Sequence, residues 1–187
     1  INRVVLRFSH WLVLIGLTPS AWAEVVVEPA QPLTHRVQVQ PIRVKKTTGE
    51  TAATFGDAAA ETYIKQQINR IYAQIGVRID WLPVNEYTND FAYDGSPGNY
   101  NSASRPSSHL DTIINSAGIP PKSSNAIVLN MFFIEIVPFF SKTAENVANG
   151  YAYLDANGST MQVGTDLLAW GGRAHGVIAR VIAHELG

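Results

Sequence analysis

The sequence predicts a single α/β (α+β) domain, a mixed and mostly parallel twisted sheet with an antiparallel edge strand and a helix at its end. Three observations predict it. Residues 35–81 read as strand, amphipathic helix, strand, the pattern of a βαβ unit with a parallel pair. Residues 125–137 are almost unbroken apolar residues, as in a central strand buried on both faces. Asn157-Gly158 separates two short strand-like runs, a hairpin signal.

The elements follow in order. Residues 1–23 have the make-up of a secretory leader. Arg3 and Arg7 give a basic start, "WLVLIGL" (11–17) gives a short apolar core, and Ala21-Trp22-Ala23 gives the small-x-small cleavage pattern. An uncleaved anchor is the rival, but the apolar run falls short of the roughly 20 residues that a bilayer requires. The mature chain is therefore expected to start at Glu24, to be secreted (extracellular or periplasmic), and to keep no stable membrane association. In "HRVQVQPIRVKK" (35–46) Val37 and Val39 alternate with Arg36, Gln38 and Gln40, a period-2 strand. Pro41 points to an edge position or a bulge there. Across 57–76, Ile64, Ile68, Ile71 and Ile75 form one helical stripe, with Asp57 as N-cap and Gly76 as the stop. Val77, Ile79 and Trp81 alternate again as a second strand.

Residues 84–107 are rich in turn formers and show no period, so a long surface loop is expected. Ser108 opens a short helix with Asp111 in its first turn, its inner face Leu110, Ile113, Ile114 and Ala117; Gly118 to Pro121 ends it. After the apolar strand at 125–137, "GYAYL" (150–154) and "TMQVG" (160–164) flank "DANGS". A final helix begins near Arg173 and runs through "GVIARVIAHELG".

Composition narrows the function. A net charge of −1 offers no basic field to nucleic acid or an anionic membrane. Loss of Arg3 and Arg7 with the leader leaves 12 of the 14 basic residues against 15 acidic ones, a net of −3. Without cysteine there is no disulfide scaffold, thiolate nucleophile or Cys-based metal site. No G-x-S-x-G, P-loop or G-x-G-x-x-G occurs, so serine hydrolase and nucleotide-binding readings lack support.

What remains is His184-Glu185 near the end of the last helix. Residues four apart on a helix share a face, so two His at i and i+4 can bind one zinc ion. A Glu beside the first His can then take a proton from the metal-bound water. This chain supplies His184, Glu185, Leu186 and Gly187, one residue short of the second His. On these residues alone two readings stand: half of an H-E-x-x-H site, or a His-Glu pair at an ordinary helix end with Gly187 as its stop. The chain opens on Ile and closes inside the motif, so an incomplete gene product is expected.

In its element order and in "VIAHELG", the chain over 35–187 resembles the N-terminal subdomain of the metzincin zinc endopeptidases, of matrixin-like or reprolysin-like type. The resemblance implies a zinc metalloendopeptidase catalytic domain over 24–187, with His184 as first zinc ligand and Glu185 as general base. It implies that the edge strand Gly150, Tyr151, Ala152, Tyr153 and Leu154 pairs with a protein or peptide substrate. The remaining ligands would lie beyond Gly187, and the 187-residue chain by itself is expected to be inactive and to bind zinc weakly. A monomer with no nucleic-acid partner is expected. The alternatives are a non-catalytic secreted α/β binding module and an enzyme relative that has lost its later ligands. His175, nine positions before His184, falls on the opposite side of the helix and is read as a first-turn histidine. His35 and His109 are read as surface residues. Glu86, Asp90 and Asp94 are candidates for Ca2+, although no D-x-D-x-D-G spacing appears, and a solvated acidic loop is the expectation. Phe139-Phe140 reads as packing.

Overall fold

The computed structural model describes residues 30–94, 113–135, 150–152, 157–162 and 172–187. Strand β1 (His35–Lys45) is followed by helix α1 (Ala58–Ala73), β2 (Val77–Trp81), β3 (Asn85–Thr88) and the short helix α2 (Asp90–Asp94). After a helical turn at 113–116 come β4 (Leu129–Ile134), β5 (Gly150–Ala152), β6 (Ser159–Gln162) and helix α3 (Gly172–Leu186). The six strands form one sheet in the order β2-β1-β4-β6-β5, with β3 also paired to β1. Among the described strands every pairing is parallel except β5 with β6, which is antiparallel and puts β5 at the end of the order. The molecule is thus mixed α/β with a mostly parallel open sheet. Among the described residues no helix is long and apolar enough to cross a membrane. The leader lies outside the described residues.

The βαβ unit forms as its pattern predicts: β1 and β2 pair in parallel from His35 opposite Val77 to Val39 opposite Trp81. Asp57 caps α1, its side chain accepting from the Ala60 amide at 2.8 Å. Ile64 and Ile68 are fully buried. The helix ends at Ala73, so the fourth isoleucine of the stripe, Ile75, falls in the turn beyond it and is 66% exposed. Gly76 makes the stop with φ +71°, and a side chain there would sit 2.6 Å from the Pro32 carbonyl oxygen. The Gly76 carbonyl in turn accepts from the Thr34 and His35 amides, tying the entry of β1 to the exit of α1.

Pro41 departs from expectation, since it lies in the middle of a central strand. Strand β2 covers one edge of β1 up to Val39 and β3 takes over at Ile42, so Pro41 sits opposite the interval between them. A residue without an N–H loses little there. The buried Gln40 amide spans the interval by donating to the Pro83 carbonyl at 2.7 Å.

The predicted loop at 84–107 is corrected in its first part, which holds β3 and α2. A four-residue strand presents only two residues to each face, too few to show a period. It is held instead by cross-strand contacts: Glu86 pairs with Arg43 and Lys45, and Tyr87 meets Phe132 edge-on with centroids 6.2 Å apart. Residues 95–107 lie outside the described residues, as do Ser108, Leu110 and Asp111.

Alternation along β4 divides the core between the two sheet faces. Met131 and Phe133 join Val39, Phe55, Ile64, Ile68, Ile79, Ile178 and Ile182 beneath α1 and α3. Phe132 and Ile134 join Ile42, Val44, Ala92, Tyr93, Ile113 and Ile114 on the other face. All four β4 residues Met131–Ile134 are fully buried, as the apolar run predicts. The strand starts only at Leu129, because Asn125 folds 125–128 into a turn: its carbonyl accepts from Val128 and its side chain from Ile127. Phe139-Phe140 lies outside the described residues.

Candidate active site

Helix α3 packs against α1, β5 and β6. Ile178, Ala179, Ile182 and Ala183 turn inward, and Arg180 and His184, four apart, turn to solvent. The face toward α1 carries small residues: Gly176 lies near the Tyr63 hydroxyl, and Ala183 and Gly187 lie at Tyr72. Large side chains of α1 fill the space that small residues of α3 leave.

His184 is therefore an exposed imidazole in the last turn of the helix. Glu185 beside it is half-buried. Desolvation pushes its carboxyl above the ordinary carboxylate value, and the neighbouring His184 opposes that rise. This is the electrostatic setting of a proton acceptor, a carboxylate that gains from taking a proton. The turn is braced from α1, where the Tyr72 hydroxyl donates to the Ala183 carbonyl at 2.8 Å. Burial raises the Tyr72 phenol from 10.0 to about 12.

His175 lies in the first turn of α3, its ring 6.3 Å from that of Tyr63, away from His184. His35 opens β1 and shares a 2.8 Å hydrogen bond with the Thr34 hydroxyl at the surface. His109 lies outside the described residues. Of the candidate calcium ligands, Glu86 is engaged by Arg43 and Lys45, which hold its carboxyl below the ordinary value. Asp90 accepts from the Thr47 amide at 2.7 Å and from its hydroxyl. These carboxylates are occupied by protein partners. Among the described residues no three His, Asp or Glu side chains converge on one point.

Of the proposed substrate strand, Gly150, Tyr151 and Ala152 form β5, paired antiparallel to β6 with Ala152 opposite Ser159. Among the described strands one of its edges has no neighbour. Tyr153 and Leu154 lie outside the described residues. Asn157, marked in the sequence as half of a hairpin signal, has a second role that sequence reasoning missed. Its side chain accepts from the Asn130 amide at 2.8 Å and donates to the Val128 carbonyl at 2.5 Å, locking the hairpin to the start of β4. Only its place before Gly158 marked it.

No protein-family model matches the chain, and no curated protein matches it.

Proposed function

We propose that this chain carries the N-terminal part of the catalytic domain of a secreted zinc endopeptidase of the metzincin type. His184 is one metal ligand and Glu185 the general base. The observation that carries the reading is the pairing of an exposed imidazole with a half-buried carboxyl of raised pKa, side by side on the last turn of a packed helix. The antiparallel edge strand β5 and its packing against α3 support it.

The donor set fits zinc at one corner only. One imidazole and its neighbouring base do not enclose an ion, and any further ligands come from outside the described residues. Bound there, zinc supplies polarisation of the scissile carbonyl and a more acidic water. The chain's own share is narrower. Glu185 takes the proton of the attacking water and passes it to the leaving amine. Strand β5 (Gly150–Ala152) offers backbone groups that align an extended peptide.

The test is cheap. In the source gene, the residue after Gly187 is expected to be His, followed three residues later by Gly and three later again by a third His. In the protein so encoded, Glu185→Gln should abolish peptide hydrolysis and keep the zinc content, since Glu185 is a base and not a ligand. Residues 24–187 alone should show no stoichiometric sub-micromolar zinc site in equilibrium dialysis. A gene with no histidine after Gly187 ends the peptidase reading. A secreted α/β binding module then takes its place. Secretion has its own check, an exported protein beginning at Glu24.

A further inference from the structure

We infer that Tyr72 is a positioning residue for the His184-Glu185 pair, fixing from α1 the helical turn that carries both. The inference rests on the peptidase reading for its functional meaning and on three geometric observations for its substance.

The first observation is which partner the Ala183 carbonyl takes. In a regular α-helix it would accept from the amide of residue 187, four further on. The Gly187 amide donates to the His184 carbonyl at 3.4 Å, the tighter spacing of a 3₁₀ turn. The Ala183 carbonyl belongs to the last turn of the helix, and the Tyr72 hydroxyl meets it at 2.8 Å. The second is the distance along the chain. The bond joins residues 111 apart, so it fixes α3 against α1 and does more than cap a helix locally. The third is Gly187 itself. A side chain there would have its first carbon 2.8 Å from the Tyr72 oxygen and 3.6 Å from Cζ. The absence of a side chain at 187 leaves the phenol the room it needs to reach Ala183.

His184 and Glu185 immediately follow the carbonyl that is held. If the turn frays, the imidazole and carboxyl lose their fixed relation, because the helix backbone is what keeps them side by side. Tyr63, at the other end of the same seam, faces His175 and has no such contact with the final turn.

The experiment compares Tyr72→Phe with Tyr63→Phe in the chain as its source gene encodes it. Three readouts are used: amide exchange of Glu185, Leu186 and Gly187 without metal, the carbonyl carbon resonance of Ala183, and zinc affinity by chelator competition. Tyr72→Phe should speed exchange of those amides about fivefold, the effect of losing one net hydrogen bond, and shift the Ala183 resonance. It should also weaken zinc binding about tenfold, as loss of an outer-shell support does. Tyr63→Phe should do none of these. Replacing Tyr72 by 4-aminophenylalanine, which restores a donor, should recover both exchange and affinity. Exchange and resonance unchanged in Tyr72→Phe would overturn the inference outright. Faster exchange with zinc affinity equal to wild type would also overturn it, reducing Tyr72 to a helix cap. A wild-type chain that binds no zinc sinks the peptidase reading instead, and the metal-free exchange data still decide whether Tyr72 holds the turn.

Discussion

Tyr72 shows how one hydroxyl links pH to stability. Burial raises its pKa from 10.0 in the unfolded chain to about 12 in the folded one. Below pH 10 the phenol is protonated in both states, and its contribution to stability is full. Between pH 10 and about 12 the unfolded chain ionises first, so stability falls as pH rises through that window. Urea midpoints measured across it should drop less steeply in Tyr72→Phe than in wild type. Parallel curves would mean that the phenol is not desolvated. Glu86 has the opposite sign: Arg43 and Lys45 hold its pKa low, so whatever it contributes is present at neutral pH and lost in acid. It is an exposed pair of ion contacts and carries little weight. Asn157 matters more. Replaced by Ala, it leaves the Asn130 amide and Val128 carbonyl without their partner, and a loss of about 1–3 kcal/mol is expected in chemical denaturation.

At the scale of elements, caps and stops are the testable features. Asp57→Ala removes the acceptor for the Ala60 amide and should cost about 1 kcal/mol. Gly76→Ala should cost more than Asp57→Ala. It forces a side chain into a left-handed conformation and against the Pro32 carbonyl, which is backbone fixed by the Gln31–Ala73 hydrogen bond. If thermal denaturation ranks the two the other way, the turn at 74–76 is looser than its hydrogen bonds indicate. The hairpin is held similarly. Gly158 approaches Ile114 so closely that an added Cβ would lie 2.2 Å from Cδ1, which joins β6 to the helical turn on the second face.

At the scale of the molecule, β4 is the wall between two core layers. Phe132 and Phe133 are neighbours in sequence yet belong to opposite faces, and each is fully buried. Alanine at either should cost about 3–5 kcal/mol. Because one strand serves both layers, neither should melt alone. Trp fluorescence and far-UV circular dichroism should give coincident urea transitions in both variants. Separate transitions would show that the layers are independent.

The sequence by itself determined the elements whose side chains repeat in step with the backbone. The isoleucines of α1, the alternation in β1 and β2, and the apolar run of β4 could be read because burial on a face imposes the period of that face. Asp57 and Gly76 were legible too, since capping is a local matter of a few residues. The His184-Glu185 pair was visible as a motif fragment with two meanings. Tertiary structure decided what depends on distant partners. It alone allowed Pro41 in a central strand, because the neighbour changes there from β2 to β3. It made β3 a strand through Arg43, Lys45 and Phe132, none of them near in sequence. It also half-buried Glu185, left His184 in solvent and set Tyr72 against the turn between them and the core. Spacing along one helix fixes which residues share a face, but the burial of that face, and so the proton affinity of a carboxyl upon it, is set by whatever packs alongside.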